Sequence, residues 1–216
     1  MSLGGVPDDR PALRAVAQLA NGSGVLFAPR RVLTAAHCVR GDHAELRFRD
    51  ARAWTRAFTG RVQRHPEFEL PLRSDGRVAA SRIEDVRADV AVITLDEDPR
   101  LDGSPIAPIE LTAPDDGLDA GARVSMIGFG DAAPGSSLAY IRRRGEARIT
   151  TLHPAHIAIE ARDGAVMTCG DSGGPLVVER DGGGLCVVGV GSVYAEGLWS
   201  LFARVAAHRD WIATRA

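Results

Sequence analysis

One short segment of the chain combines a nucleophile with the glycines that would leave it accessible. Residues 169–175 read Cys-Gly-Asp-Ser-Gly-Gly-Pro, and a serine flanked by glycines suits a sharp turn in which bare backbone approaches a substrate carbonyl. The amides of Gly170 and Ser172 would then point at the developing oxyanion, where each donor contributes about 3–4 kcal/mol. The segment therefore predicts a nucleophilic serine at Ser172.

Two other segments offer the base and the carboxylate that such a serine needs. A serine hydroxyl is a poor nucleophile until a base takes its proton, and His37, within Leu-Thr-Ala-Ala-His-Cys, is the candidate base. The base in turn needs a buried carboxylate, and Asp89 opens the apolar run at residues 89–95. Taken singly, each residue has another interpretation: Ser172 as a turn serine, His37 as a core histidine, and Asp89 as a cap or a solvated strand end.

Together, these three segments resemble the trypsin/chymotrypsin-like serine peptidases. Residues 34–38 are similar to that family's histidine motif, residues 89–91 to its aspartate motif and residues 170–175 to its serine motif, in the family's order. The resemblance runs from about Ala15 to Ile212. Further landmarks of the family are His65-Pro66-Glu67-Phe68, Gly128-Phe129-Gly130 and Asp210-Trp211-Ile212.

The resemblance implies a serine endopeptidase that acts through an acyl-enzyme, with a protein or peptide substrate and with no metal or cofactor. Ser172 would attack the carbonyl while His37 accepts its proton and Asp89 stabilises the imidazolium. The amides of Gly170 and Ser172 would form the oxyanion hole. Two alternatives stay open: a catalytically silent or zymogen-like homologue that acts as a protein-binding module, and an esterase that uses the same three residues.

Short strands must hold these residues in place. Most apolar runs are four to eight residues long and bounded by Gly, Pro, Asp or Ser, which predicts an all-β sandwich or barrel. Helical periodicity is convincing only near the end, where Val205, His208, Trp211 and Ile212 share a face. The predicted strands include the alternating stretches 44–49 and 148–152 and the apolar runs 25–27, 32–33, 90–93, 175–178 and 186–190.

The family resemblance makes this expectation more specific. It implies an all-β fold of two six-stranded antiparallel β-barrels, with the active site in the cleft between them and a C-terminal α-helix. The chain would be one peptidase domain, 1–216. Its parts would be a first barrel at about 15–97, a Pro/Asp/Gly-rich linker at about 96–121, a second barrel at about 120–204 and a helix at 205–216. Residues 70–85 look like an irregular surface loop.

The resemblance also implies where substrate would bind. The floor of the specificity pocket falls at Val166 or Met167, and because neither is acidic, a preference for Arg or Lys loses its usual electrostatic basis. Tyr194 would narrow the pocket mouth, so cleavage after small or medium apolar residues is predicted; Glu196 would restore a basic preference if it turned inward. The implied substrate-binding residues are Val166, Met167, Ser192, Val193, Tyr194 and Ser200.

Charge and hydropathy exclude two classes of partner. With 26 basic and 28 acidic side chains the formal net charge is −2, which gives no electrostatic reason to bind nucleic acid or an anionic membrane. The longest aliphatic run, at residues 90–92, falls far short of the roughly 20 residues that span a bilayer, so no membrane insertion is expected. Family resemblance implies a secreted or periplasmic protein, although charged residues within the first 20 positions match no secretory signal. The oligomeric state stays open.

The cysteines and Asp171 depart from the family pattern. Gly22 stands where the family usually has the disulfide partner of the cysteine after the histidine, and Leu198 stands near the place of the partner for Cys169. We therefore predict three free thiols. In the family, the aspartate before the serine pairs with the ammonium group of an Ile-Val-Gly-Gly start. Residues 2–5 of this chain, Ser-Leu-Gly-Gly, match that start only in part. The partner of Asp171 therefore stays open.

Overall fold

The computed structural model describes residues 5–50, 53–71, 85–113, 117–131 and 141–215. Nearly all of the surface loop predicted at 70–85 lies outside these residues. Within them the chain forms short strands, a few 3-10 turns and a C-terminal helix, as the all-β prediction requires. No helix in the described part of the chain is long and apolar enough to cross a membrane.

The first half forms the closed six-stranded antiparallel barrel that was predicted. Strand β1 (Val6–Pro7) precedes it and pairs elsewhere. The barrel interior is filled by the apolar runs of the sequence, with Val25, Leu33 and Ile93 fully buried. Around the barrel the order is β2-β3-β4-β7-β6-β5. The strands are β2 (Val16–Leu19), β3 (Gly22–Ala28), β4 (Arg31–Thr34), β5 (His43–Phe48), β6 (Phe58–Arg64) and β7 (Ala91–Leu95).

The segment predicted as a linker is more ordered than its Pro and Asp content indicates. It forms a small hairpin of β8 (Arg100–Leu101) and β9 (Ser104–Pro105), and then β10 (Glu110–Leu111), which pairs in parallel with a strand of the second half. Ile106 and Ile109 are buried against the core. The prediction missed this order because Pro105 is tolerated at the end of a short edge strand, where its missing N–H is not needed.

The second half forms one nine-stranded sheet, antiparallel except for the pairing of β10 with β16. The strand order is β1-β12-β11-β15-β16-β17-β14-β13, with β10 added beside β16. A bridge between Ala147 and Gly164 joins β12 to the chain after β14 and so links the two sides of the sheet. The strands are β11 (Arg123–Gly128), β12 (Arg143–Arg148), β13 (Thr151–Leu152), β14 (His156–Glu160), β15 (Pro175–Glu179), β16 (Leu185–Ala195) and β17 (Trp199–Arg204).

The single strand predicted at 148–152 is wrong. Strand β12 ends at Arg148 and β13 begins at Thr151. The two residues between them change partners, because the Ile149 amide donates to the Ala122 carbonyl and the Thr150 amide donates to the Ala158 carbonyl. The alternating pattern continues across this bend, so periodicity alone does not predict it.

One hydrophobic cluster spans both halves, and a second, separate cluster lies within the second half. Ile127, Phe129 and Val190 of the second sheet belong to the same buried cluster as the barrel interior. Helix α1 (Val205–Ala213), which confirms the predicted C-terminal helix, buries Val205 and Ile212 in that cluster. This shared packing fixes the loops of the two halves relative to each other, and the candidate site lies where those loops meet.

Candidate active site

The carboxylate of Asp89 is completely buried and points at His37. Its Oδ2 lies 2.7 Å from His37 Nδ1, and its Oδ1 accepts the His37 backbone N–H at 3.0 Å. The hydroxyl of Ser192 donates to the same Oδ2 at 2.6 Å. Three donors therefore surround this carboxylate, and because Nδ1 is bound to it, Nε2 is the imidazole nitrogen that can exchange a proton.

Local backbone geometry brings these two residues together. His37 lies in a 3-10 turn (Ala36–Cys38) directly after β4, and Asp89 lies just before β7, the barrel neighbour of β4. Ala88 has a φ of 43°, and the Val90 amide donates to its carbonyl at 2.7 Å, which makes a tight turn at Asp89. Such a backbone is costly for a residue with a Cβ, so packing must hold this turn in place.

Burial and hydrogen bonding oppose each other in the pKa values of the pair. For His37, burial works to lower the pKa, but the hydrogen bond and charge of Asp89, helped by Cys38, give a raised pKa overall. For Asp89, burial works to raise the pKa, and the bonds from His37 and Ser192 lower it overall. The pair therefore favours an ionised carboxylate beside an imidazole that readily holds a proton.

Ser172 lies in a loop whose shape requires glycine. Gly170 and Gly173 have φ values of 94° and 79°, in the left-handed region. A Cβ on Gly173 would lie 2.2 Å from the carbonyl oxygen of Ser23 on β3, so the loop packs directly on the first barrel. The Ser172 hydroxyl is buried and donates to the Ser192 carbonyl over 3.5 Å. Ser192 thus contacts both Ser172 and Asp89.

The two amides predicted for the oxyanion hole have no acceptor within the described residues. Neither the Gly170 N–H nor the Ser172 N–H donates to another group there, whereas the next amides along the loop, those of Gly173 and Gly174, donate to Gly191 and Asp171. Two N–H groups of the serine loop without an acceptor among the described residues are available to receive a negatively charged oxygen.

Asp171 holds its carboxylate beneath this loop with hydrogen bonds alone. Oδ1 accepts the Gly130 amide at 2.8 Å, and Oδ2 lies 2.9 Å from the Thr168 amide and 3.1 Å from the Thr168 hydroxyl. A Cβ on Gly128 or Gly130 would fall within 2.4 Å of this side chain, which explains the Gly-Phe-Gly element. Burial raises the pKa of Asp171 despite these donors. Among the described residues it forms no ion pair.

The predicted specificity residues separate into two groups. Met167 is buried; its amide donates to the Ser200 hydroxyl at 2.7 Å, and its Sδ would lie 2.8 Å from a Cβ on Gly191, next to Ser192. Val166 instead lines a small cavity of about 30 Å³ beside Asp171. Val193 and Tyr194 are half-buried on β16. Of the two candidates for the pocket floor, Met167 is therefore the one beside the Ser192 segment.

Two features of β3 at this site were not predicted. Ser23 is fully buried and its amide donates to the Ser172 carbonyl at 2.7 Å. Gly22 lies between two groups of the site, since a Cβ there would be 2.4 Å from the Ser172 carbonyl oxygen and 2.8 Å from Cys38 Sγ. The Asn-Gly-Ser-Gly sequence at 21–24 was a usable signal, because glycines beside a small polar residue permit such close approach.

All three cysteines are free, as predicted. Cys38 and Cys186 are buried, and Cys169 is exposed next to Gly170. The sulfur of Cys38 lies 3.6 Å from His37 Nε2. Within the described residues, no three His, Cys, Asp or Glu side chains are arranged to hold a metal ion.

Comparison with known proteins places this geometry in a family. The family model described as Trypsin matches residues 2–212. The chain belongs to the trypsin family. Its resemblance to the trypsin/chymotrypsin-like serine peptidases is thereby confirmed over nearly its whole length, and proteins of this family act on protein or peptide substrates.

Individual relatives in the trypsin family are distant. A trypsin of Saccharopolyspora erythraea is 28% identical over 209 residues, which cover 87% of this chain and 83% of that protein. Granzyme M of Homo sapiens is 28% identical over 196 residues, which cover 80% of this chain and 70% of that protein. The atrial natriuretic peptide-converting enzyme of Mus musculus is 29% identical over 185 residues, which are 78% of this chain but 16% of that much longer protein.

Proposed function

We propose that this trypsin-family protein is an active serine endopeptidase with Ser172 as nucleophile, His37 as general base and Asp89 as the orienting carboxylate. The observation that carries the proposal is the 2.7 Å hydrogen bond between the buried Asp89 carboxylate and His37 Nδ1. It fixes the tautomer whose Nε2 can accept the serine proton. A binding module would gain nothing from a buried charge held in this way.

The reaction would proceed by acyl transfer. Ser172 Oγ turns from the Ser192 carbonyl to the substrate carbonyl, and its proton passes to His37 Nε2 as the new C–O bond forms. The Gly170 and Ser172 amides stabilise the oxyanion, each contributing about 3–4 kcal/mol. His37 then gives its proton to the leaving amine, and water, activated by the same base, releases the acid and restores the serine.

We also propose that cleavage follows small or medium apolar residues. Met167 packs against the backbone at Gly191 where the side chain before the scissile bond would enter, and half-buried Tyr194 lies further along the same strand. Side chains of this size would restrict the length of the substrate residue that enters there. Neither is acidic, so neither offers a counter-ion for Arg or Lys.

Labelling with a fluorophosphonate probe tests the catalytic proposal. The native chain should react covalently, Ser172→Ala should not, and Ser104→Ala, at an exposed serine on β9, should react like the native chain. Equal labelling of the native chain and Ser172→Ala would overturn the assignment of the nucleophile. A folded native chain that neither labels nor cleaves peptides would instead favour the protein-binding alternative.

Cleavage of a peptide library tests the specificity proposal separately. We expect most cuts after Gly, Ala or Val, with amide turnover as well as ester turnover. Dominant cutting after Arg or Lys would overturn this preference while leaving the peptidase assignment intact.

We retain secretion or export to a periplasm as the proposed location, because it follows from the family. Detection of the native protein in culture medium or periplasmic extract of its source would support it. Recovery from the cytosolic fraction alone would contradict it.

A further inference from the structure

Ser23 connects the first barrel to the loop that carries Ser172. It lies on β3, is completely buried, and is separated from Gly170 by 147 positions in the chain. Its hydroxyl donates to the Gly170 carbonyl at 2.8 Å and accepts the Phe129 amide at 3.1 Å. Together with the bond from its own amide to the Ser172 carbonyl, this gives one residue three contacts around the proposed oxyanion hole.

Ser23 is itself held rigidly. The Thr34 hydroxyl donates to its carbonyl at 2.7 Å. The serine loop packs directly on it, since a Cβ on Gly173 would lie 2.2 Å from the Ser23 carbonyl oxygen and a Cβ on Gly174 would lie 3.3 Å from the Ser23 Cβ. Ser23 therefore holds the serine loop in a fixed position relative to strand β3 of the first barrel.

The oxyanion-hole loop needs such a support. Gly170 adopts a φ of 94°, and a glycine can leave that conformation without steric cost. Within the described residues its N–H has no acceptor, so the restraint on this residue comes through its carbonyl. That carbonyl is bound by the Ser23 hydroxyl.

We propose that Ser23 is a positioning residue of the oxyanion hole, whose hydroxyl fixes Gly170 so that its amide points at the reacting carbonyl oxygen. The inference rests on the proposed peptidase function. The single hydroxyl proton goes to the Gly170 carbonyl and a lone pair receives the Phe129 N–H, so both hydrogen-bonding roles of the side chain are used. Alanine at this position leaves the Gly170 carbonyl and the buried Phe129 amide without this partner.

Steady-state kinetics on three variants tests the proposal. Ser23→Ala should lower kcat roughly 10- to 100-fold with KM unchanged within about twofold, because a support acting only in the transition state affects kcat. Affinity for a peptide boronate, which mimics the tetrahedral oxyanion, should fall by the same factor. Ser23→Cys, assayed with dithiothreitol, keeps a weaker donor and should fall between. Ser125→Ala removes another buried hydroxyl, one that accepts from Arg144 on the second sheet, and should leave kcat unchanged.

Several outcomes would overturn the inference. They are an unchanged kcat in Ser23→Ala, a boronate affinity equal to that of the native chain, or an equal loss of kcat in Ser125→Ala, which would indicate general destabilisation. Failure of the peptidase proposal is recognised separately, because the native chain itself would not turn over. In that case, NMR relaxation of the Gly170 amide decides: a lower order parameter in Ser23→Ala than in Ser125→Ala supports the positioning role, and equal order parameters refute it.

Discussion

Replacing His208 with glutamine should make the protein more resistant to acid. His208 lies on α1, is nine-tenths buried, and its Nε2 has no hydrogen-bond partner among the residues that the structure describes. Its ring meets that of His65 edge-on at 5.3 Å, and it lines a cavity of about 390 Å³ together with His153 and His156. Burial, followed by the charges of His65 and His156, lowers the pKa of His208 from 6.5 to about 4.

The sign and size of the effect follow from linkage between protonation and folding. As the pH falls below about 6.5 the unfolded chain protonates this imidazole, whereas the folded protein does so only near pH 4. The contribution of His208 to the free energy of unfolding is therefore retained above pH 6.5 and lost progressively below it. The loss amounts to about 2 kcal/mol at pH 5 and approaches about 3.4 kcal/mol well below pH 4.

Urea unfolding at pH 8 and pH 5 measures this loss. Between the two values the native chain should lose about 2 kcal/mol more than His208→Gln. The matched control is His43→Gln at an exposed histidine of β5, which should keep the native pH dependence. If His208→Gln lost as much stability as the native chain over this range, the buried imidazole would not be the acid-sensitive group.

Three further substitutions examine the site. Asp89→Asn should lower kcat by about 10⁴-fold, because His37 would lose the acceptor that fixes its tautomer; a native rate would remove Asp89 from the mechanism. Cys38→Ala should shift the acidic limb of the kcat/KM profile to lower pH, since the Cys38 contact helps to raise the pKa of His37. Cys186→Ala is its control, and a limb that stays in place contradicts the prediction. Met167→Ala should raise kcat/KM for a leucine before the scissile bond, relative to alanine, by about tenfold or more; unchanged selectivity would mean that Met167 does not limit the pocket.

The catalytic candidates were predictable because each carries its chemistry in a local motif. The apolar run after Asp89 predicts a buried strand, and the glycines around Ser172 predict a sharp turn. The structure has both. The free thiols were predictable in the same way, since Gly22 cannot form a disulfide with Cys38.

What the sequence did not predict depends on contacts between distant residues. The glycines beside Ser23 indicate that another chain segment approaches closely, but they do not identify its partners, because Gly170 and Phe129 lie more than a hundred positions away. Which of Val166 and Met167 lies nearer the Ser192 segment also could not be predicted from the sequence. Both residues belong to an irregular segment, in which no periodicity determines the direction of a side chain. Buried segments between prolines likewise acquire order only through packing, as Ile106 and Ile109 do.

The absence of any covalent cross-link between the three cysteines has a practical consequence. The fold is stabilised without disulfide bonds, so reducing conditions should not lower its stability. Expression in a bacterial cytosol should give correctly folded material without an oxidative refolding step, and millimolar dithiothreitol should leave its melting temperature unchanged.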